Sequence, residues 1–549
     1  MPISEGMKSI VFLYAGFENT HAFDALFSSQ SAFDRVLVWA DKIKDACGIV
    51  VAVCGKTYAC VSESIEKSGV KAQIIKRDEW SLGNLLEQMA ASCSKNGASS
   101  VIFSMADRPF LDSTLTDQIL CEHEKYLSEY TFADGYPLGF FPEVVDSGTL
   151  NILSSLSKDK KLSDSPVDSG SIYSVIKTDI NSFEIEAVIA PRDFRMLRLD
   201  FSCSSKSKLL SCKALFEEAL NAKIPFDSLS LSELAEKTAS VQQTVPAFYN
   251  VQICGKYSSS AIYNPLFASD KKLYEKSSSN VMSLEQFRAL VSSASDFSES
   301  AVIGLGFWGD PILLPNLSDY VQAVLANPGL SVLIETDGHA VDENLAAKIK
   351  SVAESLCGSE KSGGKITWIV NVDSASAKKY GQIHGNLEGK SFESTGESET
   401  YFARSVNSVS TLEKYFPGDV YPQFVRMKIN EDELETFYRF WHGSESPSGG
   451  KVIIQKYDSF CGLLSDEKPA DLSPLKRIPC WHIKRDMNVL SDGSVPMCRE
   501  CVYSNIVGNV FSEGIEQVWK KTRDFVRNHI ECKFDEKCGA CDEYYTYNF

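Results

Sequence analysis

The run Ser9-Ile-Val-Phe-Leu-Tyr14 sets the fold class of the first part of this chain. Two similar runs follow it, Gly48-Ile-Val-Val-Ala-Val53 and Ser100-Val-Ile-Phe-Ser104. Short apolar runs of this kind are typical of strands buried on both faces of a parallel sheet. Two segments between the runs, 27–46 and 82–95, are predicted to be helices, and this alternation predicts an α/β sheet. Later strands of the same sheet are expected in 130–143 and 183–201.

A second series of strand and helix candidates begins near residue 246. Six such steps predict a partial or full parallel barrel. The patterns divide the chain into an α/β domain over 1–210, a linker over 211–245, the barrel over 246–475 and a small cysteine-rich domain over 476–549. The barrel strand candidates are 248–253, 301–306, 331–336, 366–372, 421–427 and 451–456, and the helical candidates are 283–296, 316–326, 341–356 and 430–441.

The chain has 549 residues, of which 44% are hydrophobic and 23% charged, and its net charge is −18. This is the composition of a globular protein that can bury large cores. Proteins that bind the nucleic-acid backbone need a basic surface, so we expect no nucleic-acid partner. The apolar run 10–15 is too short for a signal peptide. The sequence has no apolar stretch of about 18 residues, so we expect no membrane span. We therefore expect a cytoplasmic protein, and structural disulfides are rare in that compartment.

Six of the sixteen cysteines lie near the end of the chain. Their spacing is C-x17-C, then C-x2-C, then C-x5-C-x2-C. Such a cluster indicates a disulfide scaffold or a metal site, and the expected compartment favours metal. Thiolates bind both zinc and iron–sulfur clusters, and cysteines that only pack in a core are the remaining alternative. The six are Cys480, Cys498, Cys501, Cys532, Cys538 and Cys541.

The surroundings of these cysteines resemble the SPASM domain, an auxiliary iron–sulfur extension of radical S-adenosylmethionine (SAM) enzymes. The resemblance rests on the turn Asp492-Gly493-Ser-Val-Pro-Met-Cys498, on Gly508-Asn509, on Trp519 and on the closing pair Cys538-Gly-Ala-Cys541. It implies one 4Fe–4S cluster held by four thiolates. The implied ligands are Cys480, Cys498, Cys538 and Cys541.

The other two cysteines of the tail have no single role by this resemblance. Cys501 and Cys532 would be spare, ligands of a second site, or replacements within the first. The full SPASM pattern has seven cysteines and two clusters, whereas this tail has six, so we do not expect two complete clusters. His482 and Asp486 lie near the first cysteine and could support a ligand from behind.

Several strand ends in the middle of the chain resemble those of a radical SAM barrel. Trp308-Gly309-Asp310-Pro311 resembles the G-E-P-type motif that receives the amino group of SAM, and Glu335-Thr336-Asp337-Gly338 resembles the T-N-G element. Barrel folds place their chemistry at the carboxyl ends of strands. The resemblance implies a SAM site formed by Trp308, Gly309, Asp310, Pro311, Thr336, Asp373 and Arg426.

Each of these residues also has a structural alternative. Gly309, Pro311 and Gly338 can simply shape turns. Asp373 can cap a helix, and Arg426 can pair with an acidic side chain. On these alternatives the motifs would persist because the fold needs them.

The whole string of motifs resembles the spiro-SPASM family. Asp471-Leu-Ser-Pro474 and Cys480-Trp-His-Ile-Lys-Arg-Asp486 complete the resemblance, which covers nearly the whole chain. That family joins a nucleotidyltransferase-like domain, a radical SAM core and a SPASM tail. The resemblance therefore implies a GT-A-like sheet, a partial (β/α)6 barrel and a small iron–sulfur domain.

The core triad departs from this family pattern. A radical SAM core carries C-x3-C-x2-C after its first strand, where three cysteines hold three irons and leave the fourth iron for SAM. This chain reads Cys254-Gly-Lys-Tyr-Ser258-Ser-Ser-Ala261 at that place, so only Cys254 matches. Alanine cannot ligate iron, serine does so poorly, and the next cysteine is Cys357. We therefore expect the core to lack the cluster that cleaves SAM.

The N-terminal domain resembles GT-A-like nucleotidyltransferases at Ser104-Met-Ala-Asp107-Arg-Pro109, a D-x-P element at a strand end. In such enzymes a strand-end aspartate holds Mg²⁺ beside the nucleotide phosphates. By this resemblance Asp107 and Asp134 would be the magnesium ligands, and Asp193 could contribute a further carboxylate. The opening loop, Ala15-Gly16-Phe17-Glu18-Asn-Thr20, has one glycine and no base, and so predicts a poor phosphate cradle.

Three functions remain open on the sequence. In the first, the chain is an iron–sulfur protein whose radical site has decayed and which serves another enzyme as a redox or binding partner. In the second, it is an active radical SAM enzyme that modifies a peptide or small molecule through unusual core ligation. In the third, it is a nucleotidyltransferase with an accessory iron–sulfur region. The missing triad favours the first over the second.

Overall fold

The computed structural model describes residues 8–17, 20–44, 46–267, 272–358, 363–385 and 395–546. The chain divides into two compact units, 1–244 and 245–549. Within the described ranges no helix is both long enough and apolar enough to cross a membrane.

The first unit is built on one seven-stranded sheet. Its strands are β1 (Ser9–Ala15), β2 (Ala46–Val53), β3 (Gln73–Lys76), β4 (Ser100–Met105), β5 (Tyr130–Asp134), β6 (Glu143–Asp146) and β7 (Ile185–Ile189). The order across the sheet is β3-β2-β1-β4-β6-β5-β7. β1 pairs in parallel with β2 and β4, whereas β6 is antiparallel to both of its neighbours. The predicted α/β class is confirmed for this unit.

Helices cover both faces of this sheet. They are α1 (Ala32–Asp41), α2 (Tyr58–Ser68), α3 (Leu82–Asn96), α4 (Ser113–Tyr126), α5 (Ser147–Asp159), α6 (Ser171–Ile176), α7 (Lys206–Ala222), α8 (Ser228–Lys237) and α9 (Ala239–Gln242). The predicted helix 27–46 is shorter in the structure because Ser31 begins α1 through a capping box with Asp34. The predicted strand segment 130–143 divides into β5 and β6 at Gly135. Its φ of 88° is a conformation that residue types other than glycine rarely adopt.

The second unit is built on a parallel seven-stranded sheet that forms a partial barrel. Its strands are β8 (Phe248–Val251), β10 (Ala301–Gly304), β11 (Leu330–Thr336), β12 (Ile366–Asn371), β14 (Val420–Arg426), β15 (Ile453–Lys456) and β16 (Asp486–Val489), and two small ladders pair β9 (Ser260–Ala261) with β13 (His384–Gly385) and β17 (Ser494–Pro496) with β18 (Ile506–Asn509). The order of the large sheet is β15-β14-β12-β11-β10-β8-β16. All six predicted strands are present, and the partial barrel is confirmed.

The seventh strand of this sheet was not predicted. β16 comes from the cysteine-rich tail and pairs in parallel with β8, so that Asp486 lies opposite Phe248. The barrel and the tail therefore share one sheet. The helices of this unit are α10 (Lys272–Ser278), α11 (Leu284–Ser298), α12 (Leu317–Leu325), α13 (Glu343–Cys357), α14 (Ala377–Ile383), α15 (Thr395–Tyr415), α16 (Leu434–His442), α17 (His482–Arg485), α18 (Val510–Glu513), α19 (Ile515–Ile530) and α20 (Glu536–Ala540).

Candidate metal centre and strand-end pocket

Six cysteines of the second unit line one pocket, and all six are free thiols. The four predicted ligands are among them, together with Cys501 and Cys461. Cys532 is exposed and does not line this pocket. Sequence reasoning missed Cys461, because it lies before the tail and no motif surrounds it. The six are Cys461, Cys480, Cys498, Cys501, Cys538 and Cys541.

Short local structures of the tail present these thiols. A tight turn after β17 carries Cys498 and Cys501, with the Cys501 N–H donating to the Cys498 carbonyl at 3.2 Å. Asp535 caps α20 by accepting from the Cys538 N–H at 2.7 Å. The N–H of Cys480 donates to Nδ1 of His529 on α19 at 3.3 Å. The pocket is thus held by hydrogen bonds of the backbone before any ligand binds.

Two pairs of thiols within the pocket are in close contact. The sulfurs of Cys498 and Cys501 lie 3.6 Å apart. The Cys461 thiol is hydrogen-bonded to Cys541. Each contact favours one thiolate in its pair, because the hydrogen bond from Cys498 lowers the pKa of Cys501 to about 7 and the hydrogen bond from Cys461 lowers the pKa of Cys541. By contrast, burial raises the pKa of Cys480 to about 11.

The spread of the sulfurs distinguishes the kinds of metal site that fit this pocket. A single zinc ion holds its thiolates at about 2.3 Å, which brings all four sulfurs within about 4 Å of one another. Among the described residues, no three cysteine sulfurs lie within 4.8 Å of one another. Sulfurs on different irons of a cluster lie further apart, since each points away from the cluster centre. The donor set therefore fits an iron–sulfur cluster better than a single zinc ion.

Basic side chains lie among these sulfurs. Arg477, Lys537 and Arg499 line the same pocket. Arg477 donates to the carbonyl of Cys541 at 2.8 Å, and the charge of Lys537 contributes to the lowered pKa of Cys501. A cluster with thiolate ligands is negatively charged, so these cations would stabilise it.

A half-buried ion-pair network connects the residues after the closing cysteine pair to the barrel. Lys456 at the end of β15 pairs with Glu543 and, at 3.1 Å, with Asp542. Lys468 pairs with Asp542 at 2.5 Å. Burial alone would lower the pKa of Lys456, but the two carboxylates outweigh it and raise the pKa. The residues that follow Cys541 are therefore fixed to the barrel.

A second pocket lies at the carboxyl ends of the barrel strands. Four of the seven residues predicted for a SAM site line it: Trp308, Gly309, Asp310 and Thr336. Its other polar lining residues include Glu335, Asp337, Asn371 and Arg499. Asn250 and Arg499 line both this pocket and the cysteine pocket, so the two adjoin inside the barrel.

Hydrogen bonds order the acidic side of this strand-end pocket. Oδ2 of Asp310 accepts from the Thr336 hydroxyl at 2.9 Å, and burial, helped by the charge of Asp337, raises the pKa of Asp310 to about 8. The Trp308 indole N–H is buried and has no partner among the described residues. Pro311 begins a short 3₁₀ turn that Asp310 caps. An unsatisfied buried donor beside carboxylates is a site where a polar ligand atom would be stabilised.

Of the three remaining residues predicted for this site, Pro311 lies in the 3₁₀ turn, and Asp373 and Arg426 are engaged elsewhere. Asp373 is fully buried and accepts from Tyr263 at 2.8 Å, from the Val425 N–H at 2.7 Å and from His384 at 3.0 Å. Arg426 pairs with Glu431 at 2.5 Å. Neither side chain is among the described residues that line the strand-end pocket.

The residues at the three triad positions make hydrogen bonds or strand pairs within the protein. Cys254 is buried, and its sulfur accepts from the Lys256 N–H at 3.3 Å. The Ser258 hydroxyl bonds to Nδ1 of His339 at 3.0 Å, and Ala261 pairs with His384 in the small β9–β13 ladder. Burial lowers the pKa of His339 to about 4, so the imidazole is neutral near pH 7. The polar partner of Ser258 was invisible in the sequence because it follows another strand.

The predicted magnesium ligands of the first unit lie in different environments. Asp107 is buried at 2% exposure, its Oδ1 has no partner among the described residues, and burial raises its pKa to about 6. Asp134 pairs with Arg195 at 3.2 Å, and Arg195 also pairs with Asp193 at 2.8 Å. One basic side chain thus neutralises two of the predicted carboxylates.

Aromatic side chains occupy the end of β1, where a phosphate cradle was considered. Tyr14 packs edge-on against Phe17 and Trp80, and a side chain at Gly16 would collide with Trp80 at 2.7 Å. The remainder of the predicted loop includes residues 18 and 19, which lie outside the described residues.

Comparison with known proteins identifies one domain of the chain and several similar proteins. The SPASM model, an iron–sulfur cluster-binding domain, matches residues 480–542. An uncharacterised protein of Treponema pallidum (strain Nichols) is 40% identical over 379 residues, which cover 69% of this chain and 98% of that protein. The spore coat polysaccharide biosynthesis protein SpsF of Bacillus subtilis (strain 168) is 29% identical over 121 residues, 22% of this chain and 48% of that protein.

Two solved structures, a cytidylyltransferase and SuiB, are similar to this chain at low sequence identity. A cytidylyltransferase from Leptospira borgpetersenii is 14% identical with a TM-score of 0.35, covering 43% of this chain and 96% of its own. Streptococcus suis SuiB bound to its precursor peptide SuiA is 11% identical with a TM-score of 0.40, covering 76% of this chain and 93% of its own.

The identity and coverage of the Treponema protein place the two chains in one family. The SPASM match fixes the nature of the tail, and the strand-end motifs and the nucleotidyltransferase-like sheet precede it in the order that the sequence predicts. The chain is a member of the spiro-SPASM family, which joins a nucleotidyltransferase-like domain, a radical SAM-like core and a SPASM iron–sulfur tail, and its core triad is reduced to Cys254.

Proposed function

We propose that this protein holds one 4Fe–4S cluster in its C-terminal tail and does not cleave SAM. The observation that carries the proposal is the distribution of thiols in the second unit. Six cysteines surround one pocket of the tail, whereas the triad segment 254–261 of the core contains Cys254 alone. A cluster that binds SAM needs three protein thiolates, and the core supplies one.

The ligands proposed for the cluster are those that the SPASM resemblance implies: Cys480, Cys498, Cys538 and Cys541. All four line the pocket, and three basic side chains around it would offset the charge of a thiolate-bound cluster. An iron–sulfur cluster supplies one-electron redox chemistry when bound.

Two observations support the loss of the radical reaction. Ser258 is committed to His339, and Ala261 has no donor atom and lies in a ladder with His384. Gly309 approaches the Cys254 carbonyl so closely that a Cβ there would lie 1.7 Å from that oxygen. The triad loop is thus packed against the neighbouring strand end, which supports a structural role for it.

We propose that the cluster serves a redox or enzyme partner. The cysteine pocket adjoins the strand-end pocket through Asn250 and Arg499. A ligand in the barrel would therefore lie beside the cluster, which supports electron transfer to or from that ligand. The partner would supply or remove the electron, since on this proposal the protein does not itself generate a SAM-derived radical.

The test is anaerobic reconstitution followed by iron, sulfide and zinc analysis and an assay for reductive SAM cleavage. We expect about four irons and four sulfides per chain and no 5′-deoxyadenosine. Cys538→Ala with Cys541→Ala should abolish the cluster, whereas the exposed Cys532→Ala should leave it intact as the matched control. Zinc without sulfide would refute the cluster, and deoxyadenosine that disappears in Cys254→Ala would establish an active radical core.

One observation favours a second function, the binding of SAM or a similar ligand without its cleavage. The strand-end pocket retains Asp310, Thr336 and the unpartnered indole N–H of Trp308. Equilibrium dialysis with labelled SAM should detect binding that Asp310→Ala weakens at least tenfold. Equal binding by wild type and variant would exclude this pocket, and no binding by wild type would exclude the function.

A further inference from the structure

The cysteine pocket contains more thiols than a four-iron cluster has corners. Each iron of such a cluster takes one protein ligand, so four thiolates suffice. The pocket offers six, and the structure arranges them unevenly. Cys498 and Cys501 form one close pair, and Cys461 and Cys541 form another. Among the described residues, other thiols act on Cys480 and Cys538 only through their charge and not through a thiol–thiol hydrogen bond.

Close pairing restricts what each pair can bind. Two thiolates on different irons of one cluster diverge from its centre, so their sulfurs cannot stay in contact. The Cys498 and Cys501 sulfurs are 3.6 Å apart, and the Cys461 thiol is hydrogen-bonded to Cys541. Each pair therefore converges on a single corner of the pocket. Two pairs and two single thiols make four corners, which is the number that the cluster needs.

Cys461 reaches the pocket from the barrel and not from the tail. It lies on a turn after β15 in which three consecutive residues have a positive φ: Phe460 at 50°, Cys461 at 56° and Gly462 at 85°. The turn is held by the Asp458 carboxylate, which accepts from the Phe460 N–H at 2.8 Å. Two non-glycine residues in the left-handed region are costly, and such conformations persist where the surrounding structure fixes them.

We propose that the six thiols serve four corners of the cluster, so that Cys461 replaces Cys541 as an iron ligand when Cys541 is lost. This inference rests on the proposed iron–sulfur function. By the same geometry Cys501 stands in for Cys498. Cys480 and Cys538 have no substitute, so the loss of either leaves one iron without a protein ligand.

The exchange needs no oxidant or reductant. Cys461 and Cys541 would hold the same iron in turn. When Cys461 replaces Cys541, one Fe–S bond would replace another, and the thiol proton of Cys461 would move to the released Cys541 thiolate, its hydrogen-bond partner. The charge of the site is the same before and after the step. A thiol from the barrel and one from the tail thus compete for the same iron.

The experiment compares alanine variants of the full chain after anaerobic reconstitution, because alanine cannot ligate iron. For each variant we measure iron and sulfide per chain and record the Mössbauer spectrum. Circular dichroism checks that the variant is folded. Cys541→Ala and Cys461→Ala should each keep about four irons, as should the control Cys532→Ala. Cys461→Ala with Cys541→Ala should lose at least one iron per chain, as should Cys480→Ala.

The outcomes separate this inference from the function on which it rests. Wild type without iron and sulfide overturns both. Wild type with about four irons but a Cys541→Ala variant that loses iron as Cys480→Ala does overturns the corner-sharing inference alone. Should Cys541→Ala misfold, Cys498→Ala tests the other pair in the same way: retained iron supports the inference, and lost iron contradicts it.

Discussion

At the scale of single residues, burial decides what the strand-end carboxylates can do. Asp107 and Asp310 are both at most 2% exposed, and burial raises the pKa of the first to about 6 and of the second to about 8. Asp134, which is more exposed, is instead neutralised by Arg195. The sequence predicted all three positions from their motifs, but burial and ion pairing depend on segments far away in the chain.

Asp107→Asn tests whether Asp107 is a buried carboxylate that destabilises the folded state when ionised, or a magnesium ligand. Its folded pKa of about 6 exceeds the ordinary value of 3.8, so the folded state binds the proton more tightly and loses stability as the pH rises from about 4 to 6. Above pH 6 the variant should therefore be more stable than wild type, by up to about 3 kcal/mol at pH 8. Near pH 4 this gain should shrink towards zero.

Urea unfolding at pH 4.5 and pH 8, with and without Mg²⁺, measures this difference. The exposed Asp117→Asn on α4 is the matched control and should change the free energy of unfolding by less than about 0.5 kcal/mol. A destabilised Asp107→Asn variant at pH 8, or wild type that Mg²⁺ alone stabilises, would contradict the buried-carboxylate account and support a magnesium site.

At the scale of elements, the sequence predicts what hydrophobic patterning determines and misses what long-range pairing determines. The six barrel strands are buried runs, and all of them form. β16 escaped prediction because its place is fixed by pairing with β8, more than two hundred residues earlier. In the same way, the C-x2-C pairs predict a thiol site from sequence alone. Cys461 could not be predicted, because only the turn after β15 brings it to that site.

The link between β15 and the end of the tail makes an element-scale prediction. Lys456→Met removes the cation that faces Asp542 and Glu543, of which Glu543 is 9% exposed. Asp542 keeps its pair with Lys468, but Glu543 loses its cation. Leaving this buried carboxylate unpaired should lower the free energy of unfolding by about 3 kcal/mol. Chemical unfolding of the metal-free chain measures the change.

The control for this variant is an exposed ion pair of the same unit. Lys521 pairs with Glu513 where both side chains are at least 35% exposed. Lys521→Met should therefore cost less than about 1 kcal/mol. Equal effects of the two lysine variants would show that the β15 link does not stabilise the tail.

The whole chain consists of two compact units. Unit 1–244 has its own sheet and core, and unit 245–549 carries all six cysteines of the candidate metal centre. The barrel and the tail belong to one unit because they share a sheet. The fold class of each unit was predicted from sequence patterns and motifs, but this shared sheet was not.

Separate expression of the two units tests this division. The fragment 1–244 should fold cooperatively and take up no iron, because its thiols form no metal-binding group among the described residues. The fragment 245–549 should take up as much iron and sulfide per mole as the full chain. Iron bound by the first fragment, or a second fragment that cannot be reconstituted, would contradict the assignment of the cluster to the tail.

We propose that the tail of this protein carries a cluster and that the core carries none. Iron and acid-labile sulfide per chain, measured for reconstituted wild type and for Cys254→Ala side by side, test it most directly. We expect about four irons and four sulfides per chain in both proteins. About eight irons per chain in wild type, falling to about four in Cys254→Ala, would reveal a cluster in the core and show this proposal to be wrong.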